Sequence, residues 1–193
     1  MKSLLLSPLL ALAAAGCASA PADPPPPPAS ENRTLTHFSC KSGPTGWHVE
    51  NDDVMGGRSQ SSLVIDENGN AVFSGAVSFE NGGGFASIQC DFDALDVSAE
   101  RVLHLGLKGD GHRYQARLDA AKNARLSYAA DFQTSGNWQE IVLPFADFYA
   151  IRHGDRLDLP PYPGQTLARL QILAVPEAPG PFRLEIDRIW LTP

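Results

Sequence analysis

The residues best suited to chemistry fall in one short stretch, W-H-V-E-N-D-D-V-M-G-G-R-S-Q-S-S at 47–62. Asn51, Asp52 and Asp53 offer hard oxygen donors of the kind that ligate a divalent cation, although no calcium-loop spacing follows them and turns favour the same residue types. Arg58 is a fork-shaped donor for a carboxylate, and we expect it to pair with Asp52 or Asp53 and stiffen the stretch. Ser59, Ser61 and Ser62 are hydroxyls without the G-x-S-x-G setting of an activated nucleophile. Met55 is the single methionine besides the first residue and offers an apolar contact. The stretch is too polar and too rich in glycine for a core segment, so it is expected to be a shaped loop on a rigid scaffold, a common place for binding surfaces. The binding-loop candidates are therefore Asn51, Asp52, Asp53, Met55, Arg58 and Ser59. Gly83, Gly84, Asp110 and Tyr114 belong to neighbouring supporting loops.

Other constellations are weaker. The histidines His37, His48, His104, His112 and His153 show no zinc-site spacing, and no metal or cofactor is expected. Asp110 with Glu140 makes an unsupported carboxylate pair for glycoside hydrolysis. Trp47, Tyr114, Trp138 and Trp190 read as core or rim residues of a sandwich. Tyr114 with Arg113, Arg117 and His104 could instead line a concave face that reads a glycan.

The elements that must position these residues are strands. Short alternating runs sit between Gly, Pro, Asn and Asp punctuation, and no long segment has helical spacing. Leu103, Leu105 and Leu107 share one face of a strand over 102–108, with His104 opposite them. Tyr114, Ala116 and Leu118 alternate with Arg113, Gln115 and Arg117. Further strands are expected at 35–39, 62–66, 71–79, 85–92, 125–132, 138–143, 168–175 and 182–191. Parity shifts between Ile186 and Ile189, which predicts a bulge near Asp187–Arg188. Residues 146–150 read as a short helical turn and 152–166 as a long loop. Nine or ten antiparallel strands make one β-sandwich.

Composition bounds the rest. All sixteen aromatics lie after residue 30, and so does the formal charge of −7. That acidity and the absence of a Lys/Arg run in sequence argue against a nucleic-acid partner. Residues 1–16 read as a signal peptide: Lys2, an apolar run too short to span a membrane, and small residues at the end. Ala14-Ala15-Gly16-Cys17 resembles a bacterial lipoprotein box. Lipidation of Cys17 would tether the chain to the cell envelope, with the residue after it resembling an outer-membrane sorting signal, so the expected location is the outer membrane facing the periplasm. A plain signal peptide cleaved near residues 18–20 is the alternative. Residues 17–34, with Pro24 to Pro28 unbroken, form a semi-rigid polyproline tether. Residues 35–193 form the folded domain. Cys40 and Cys90 are then an even pair in an oxidising compartment: either a disulfide or two buried thiols.

Seven blocks in order resemble a known family. They are W-H-V-E-N-D-D-V-M-G-G-R-S at 47–59, F-S-G-A-V-S at 73–78, N-G-G-G-F-A-S at 81–87, G-D-G-H-R-Y at 109–114, F-Q-T at 132–134, W-Q-E-I-V-L-P-F at 138–145 and G-P-F-R-L-E-I-D-R-I at 180–189. They are similar to the complex I intermediate-associated protein family. The resemblance implies a galactose-binding-like jelly roll, and a non-catalytic module that binds proteins as an assembly factor. The expected export signal sets this chain apart from mitochondrial members, so it is the module that carries over, with a complex I role left open. The expected function is an envelope-anchored protein-binding module. A carbohydrate-binding module for an envelope glycan is the alternative, and an uncharacterised hydrolase the third reading.

Overall fold

The computed structural model describes residues 32–38 and 45–193. The leader, residues 17–31 of the expected tether with Cys17, and Cys40 lie outside the described residues, as does the side chain of Met55, while Arg33 and Thr34 of the expected tether belong to the first strand. Thirteen strands fill the described chain: β1 (Arg33–His37), β2 (Trp47–Asn51), β3 (Gln60–Ile65), β4 (Ala71–Val77), β5 (Ala86–Asp96), β6 (Val102–Lys108), β7 (Arg113–Asp119), β8 (Ser127–Gln133), β9 (Trp138–Pro144), β10 (Tyr149–Arg152), β11 (Asp155–Arg156), β12 (Thr166–Ala174) and β13 (Gly180–Thr192). They form two antiparallel sheets. One has six strands in the order β3-β4-β13-β6-β9, with β1 also on β13. The other has seven, in the order β11-β10-β8-β7-β12-β5-β2. This is a jelly-roll sandwich. Among the described residues no helix is long and apolar enough to cross a membrane.

Alternation in the sequence builds the core. Leu103, Leu105 and Leu107 of β6 turn inward from one sheet, and Tyr114, Ala116 and Leu118 of β7 from the other; all are buried. An aromatic seam joins the two sheets. Phe182 lies edge-on to Phe73 at 4.8 Å and to Tyr114 at 6.5 Å, and Tyr114 stacks on Phe132 at 5.9 Å. Tyr114 is therefore a core residue. Its ring does not join Arg113 and Arg117 on an outer face, and His104 belongs to the other sheet.

The bulge expected near Asp187 is present: pairing of β13 with β6 slips between Ile186 and Arg188. Three strands were not expected. β2 lies inside the stretch read as a loop. Trp47 is only 7% exposed and donates its indole N–H to Thr36, while Trp47 to Asn51 pair with Cys90 to Ala86. The presumed helical turn is a 3-10 turn at Phe145–Asp147, followed at once by β10. Phe145, Phe148 and Tyr162 pack edge-on in one cluster that draws this backbone onto β8. The long loop accordingly contains β11, a two-residue partner of β10. On the outer side of the six-stranded sheet, His104 stacks on Trp190 at 5.0 Å and bonds to Glu140 and Thr192, while Trp138 stands 49% exposed.

Candidate functional site: a loop hub and the groove beside it

Strand registers bring the marked residues to one end of the sandwich. The end of β2, the start of β5, the end of β12, the start of β7 and the end of β8 are cross-strand neighbours. The start of β3, the end of β4 and the start of β13 meet at the same end of the other sheet. The segment 52–59 therefore faces the Gly-rich segment 78–85, with 109–112 close by.

Asp52 holds the first two together. It is fully buried at the start of the 3-10 turn Asp52–Met55. Its Oδ1 accepts the Ser59 backbone N–H at 2.9 Å. Its Oδ2 accepts the Ser59 hydroxyl at 2.6 Å, the Gly84 N–H at 2.7 Å and the Phe85 N–H at 3.3 Å. Ser59 Oγ in turn accepts the Ser78 N–H at 2.9 Å. Burial opposes the charge on Asp52, but the donors of Ser59, Gly84 and Phe85 overcome it and hold the carboxyl below its ordinary range. Glycine is required on both sides by close approach. A Cβ at Gly57 would lie 2.3 Å from Asp52 Cγ, and one at Gly83 would lie 2.5 Å from Asp52 Oδ2. Asn81 closes the contact by donating to the Gly56 carbonyl at 3.2 Å.

This geometry corrects the expected pairing. Arg58 is not the partner of Asp52; its guanidinium reaches Glu80 at 3.0 Å on the exposed rim, while the Asp52 carboxylate already has four donors. The same saturation leaves Asp52 poorly placed to ligate a cation. Asn51 is half-buried and its Oδ1 accepts the Ser61 hydroxyl at 2.6 Å; Asp53 is exposed. Asp110 is a second, smaller hub. Its Oδ2 accepts the Tyr114 hydroxyl at 3.1 Å and the Arg183 N–H at 2.6 Å, and its Oδ1 accepts the His112 N–H at 3.0 Å. Burial and the adjoining Asp110 carboxylate push the Tyr114 phenol upward. Cys90 is a buried free thiol, and its pKa is raised by burial and by Asp91 to about 11.

The hub borders a groove that sequence reasoning missed. It crosses the outer face of the seven-stranded sheet and measures about 820 Å³. Glu50 and Phe85, each next to the hub, line one end. Arg117 and Gln171 form its middle, and Arg125 and Arg152 stand at the far end. The same sheet carries buried polar side chains beside the groove: Ser87, Gln89, Gln115 and Asp119. A continuous network holds it. Arg117 Nε donates to Gln115 at 2.6 Å, Gln115 donates to Asp131 at 3.0 Å and to Tyr149 at 3.1 Å, and Tyr149 donates to Asp131 at 2.7 Å. Gln89 donates to Glu50, and Arg169 meets Asp91 at 2.6 Å. Burial lowers the Arg117 guanidinium pKa. The one sequence signal was the outward parity of Arg113, Gln115 and Arg117 on β7.

Fold and loop end together define a galactose-binding-like jelly-roll module. The sequence profile described as Complex I intermediate-associated protein 30 (CIA30) matches residues 36–186, and the chain belongs to that family. It is similar to the mouse (Mus musculus) mitochondrial Complex I intermediate-associated protein 30, with 27% identity over 180 residues. The match covers 81% of this chain and 55% of the mouse protein, so the chain spans about half that relative's length. Among solved structures, a family 11 carbohydrate-binding module from Clostridium thermocellum, in complex with a beta-1,3-1,4-mixed-linked tetrasaccharide, superposes with a TM-score of 0.57. It shares 18% identity and covers 83% of this chain and 95% of its own. A family 29 carbohydrate-binding module does so with a TM-score of 0.54 at 8% identity, over 84% of this chain and 92% of its own. These likenesses show the shared fold.

Proposed function

We propose that this chain is a non-catalytic binding module, tethered to a bacterial envelope through Cys17, that holds a protein partner in the groove of the seven-stranded sheet. The observation that carries the reading is the position of the Asp52 hub. It fixes the Phe85 backbone by an N–H bond and follows Glu50 directly, so the marked loop builds the near wall of the groove. Asp52 and Ser59 of that loop serve backbone donors and Asn51 takes the Ser61 hydroxyl, so these side chains have a structural task in place of a chemical one. Membership of the complex I intermediate-associated protein 30 family supports a protein partner, and the Ala14-Ala15-Gly16-Cys17 sequence supports the tether. The exposed rim of the loop, Asp53 and Arg58, extends the same binding surface.

The test is affinity capture from detergent-solubilised envelope membranes, using the full chain against the variant Arg125→Glu/Arg152→Glu. One discrete protein retained by the wild type and lost by the variant is the expected result. Equal retention by both overturns the groove as the contact. A glycan reading is favoured by the carbohydrate-binding modules that share this fold. Retention on purified envelope glycan with no enriched protein would establish that reading instead.

A further inference from the structure

Six of the eleven arginines meet a carboxylate or an aromatic ring. Arg33, Arg58, Arg169 and Arg183 each meet a carboxylate within 3.3 Å, and Arg156 and Arg188 lie over the rings of Tyr149 and Trp190. The groove departs from this pattern. Arg117, Arg125 and Arg152 all line it, and among the described residues none of the three forms an ion pair. They come from β7, the β7–β8 connection and the end of β10, so only the fold brings them together. Glu50 is the one carboxylate of the lining, and it accepts from Gln89. Asp131 and Asp119 lie near enough to Arg117 to favour its charge; Asp131 accepts from Gln115 and Tyr149, and Asp119 is buried. In a chain of formal charge −7, a lining that carries three guanidinium groups and one carboxylate, Glu50, is a local reversal of sign.

Arg117 sharpens the point. It is half-buried, and burial disfavours its charge. Its Nε is fixed on Gln115, which holds the guanidinium plane by that edge. Planar forks held this way are suited to carboxylates. Tyr149, in the network beside the groove, is covered on one face by Arg156, 4.4 Å above its ring.

We infer that the groove receives an acidic peptide segment, with Asp or Glu carboxylates seated on Arg117, Arg125 and Arg152. The inference rests on the reading of the groove as a protein-binding surface. It is tested on the full chain by fluorescence anisotropy with three probes: a labelled peptide of about ten residues made of Glu and Gly, its Gln/Gly counterpart, and an oligogalacturonate of similar charge. The Glu peptide should bind saturably, the Gln peptide should not, and the oligogalacturonate should bind more weakly than the Glu peptide. Arg117→Gln and Arg125→Glu/Arg152→Glu should each weaken the Glu peptide about tenfold or more, as expected for charge-assisted bonds. Arg113→Ala, outside the groove, should leave it unchanged. Thermal melts show whether each variant folds, and the exposed pair Arg125 and Arg152 tests the idea even if Arg117→Gln does not.

Equal binding of the Glu and Gln peptides, no loss in the Arg125/Arg152 variant, or preference for oligogalacturonate overturns the inference. The two levels separate cleanly. Failure of the Glu peptide while membrane capture still depends on the groove removes the acidic partner and leaves the binding surface. Loss of both removes the surface as well.

Discussion

Asp52 illustrates how a polar residue earns a buried place. Its carboxylate gathers donors from Ser59, Gly84 and Phe85, and burial without them would be strongly unfavourable. Asp52→Asn keeps the shape but replaces one acceptor with a donor facing donors, and should cost about 2–3 kcal/mol in chemical denaturation. The pH dependence has a definite sign. The folded pKa lies below the ordinary aspartate value, so the contribution of Asp52 is complete above that ordinary value and is lost as pH falls through the folded pKa. Wild type should therefore lose stability relative to Asp52→Asn below about pH 4; parallel pH profiles for the two proteins would contradict the assignment. At Cys90 the raised pKa predicts a thiol that resists iodoacetamide in the native protein at pH 8 and reacts once the chain is unfolded. Mass spectrometry before and after denaturation reads this directly, and fast native labelling would show that the thiol is not buried as described.

Strands and their connections were legible where alternation was clean and hidden where a tertiary contact decided the matter. β6 and β7 follow from leucine and tyrosine parity, and the slip near Asp187 follows from the parity change between Ile186 and Ile189. β2 was obscured because Glu50, Asn51, Asp52 and Asp53 read as turn residues, whereas Trp47 anchors the strand under Thr36 and β5 supplies the ladder. β10 and β11 sit in Pro- and Gly-rich sequence and depend on the Phe145, Phe148 and Tyr162 cluster. The hub residues were picked out by type, but their partners were not, since the donors to Asp52 are mostly backbone N–H groups that no residue type announces. The connection between the two loops makes its own prediction. Gly83→Ala places a Cβ against Asp52 and Ser78 and should destabilise by about 2–3 kcal/mol. Gly82→Ala meets nothing within 4 Å and should cost about 1 kcal/mol for its positive φ alone. Equal melting temperatures for the two variants would show that the loops are not packed as tightly as the contacts indicate.

At the scale of the whole molecule, the sandwich sets a rigid polar groove beside a braced loop end. Arg117, Arg125 and Arg152 are dispersed in sequence, which is why the chain shows no basic run while the folded surface has a basic groove. Association through that groove should weaken as ionic strength rises, because the Debye length falls from about 10 Å at 0.1 M salt to about 3 Å at 1 M. An affinity unchanged across that range would point to contacts of another kind. The account's central claim is that the partner sits on the seven-stranded face. The most direct measurement places a photo-crosslinking residue at Gln171, in the groove, or at Trp138, on the opposite face, in the full chain expressed in bacterial cells. The account predicts a discrete protein adduct from position 171, reduced by Arg125→Glu/Arg152→Glu, and none from position 138. Adducts from position 138 alone, or none that depend on the groove arginines, would contradict it.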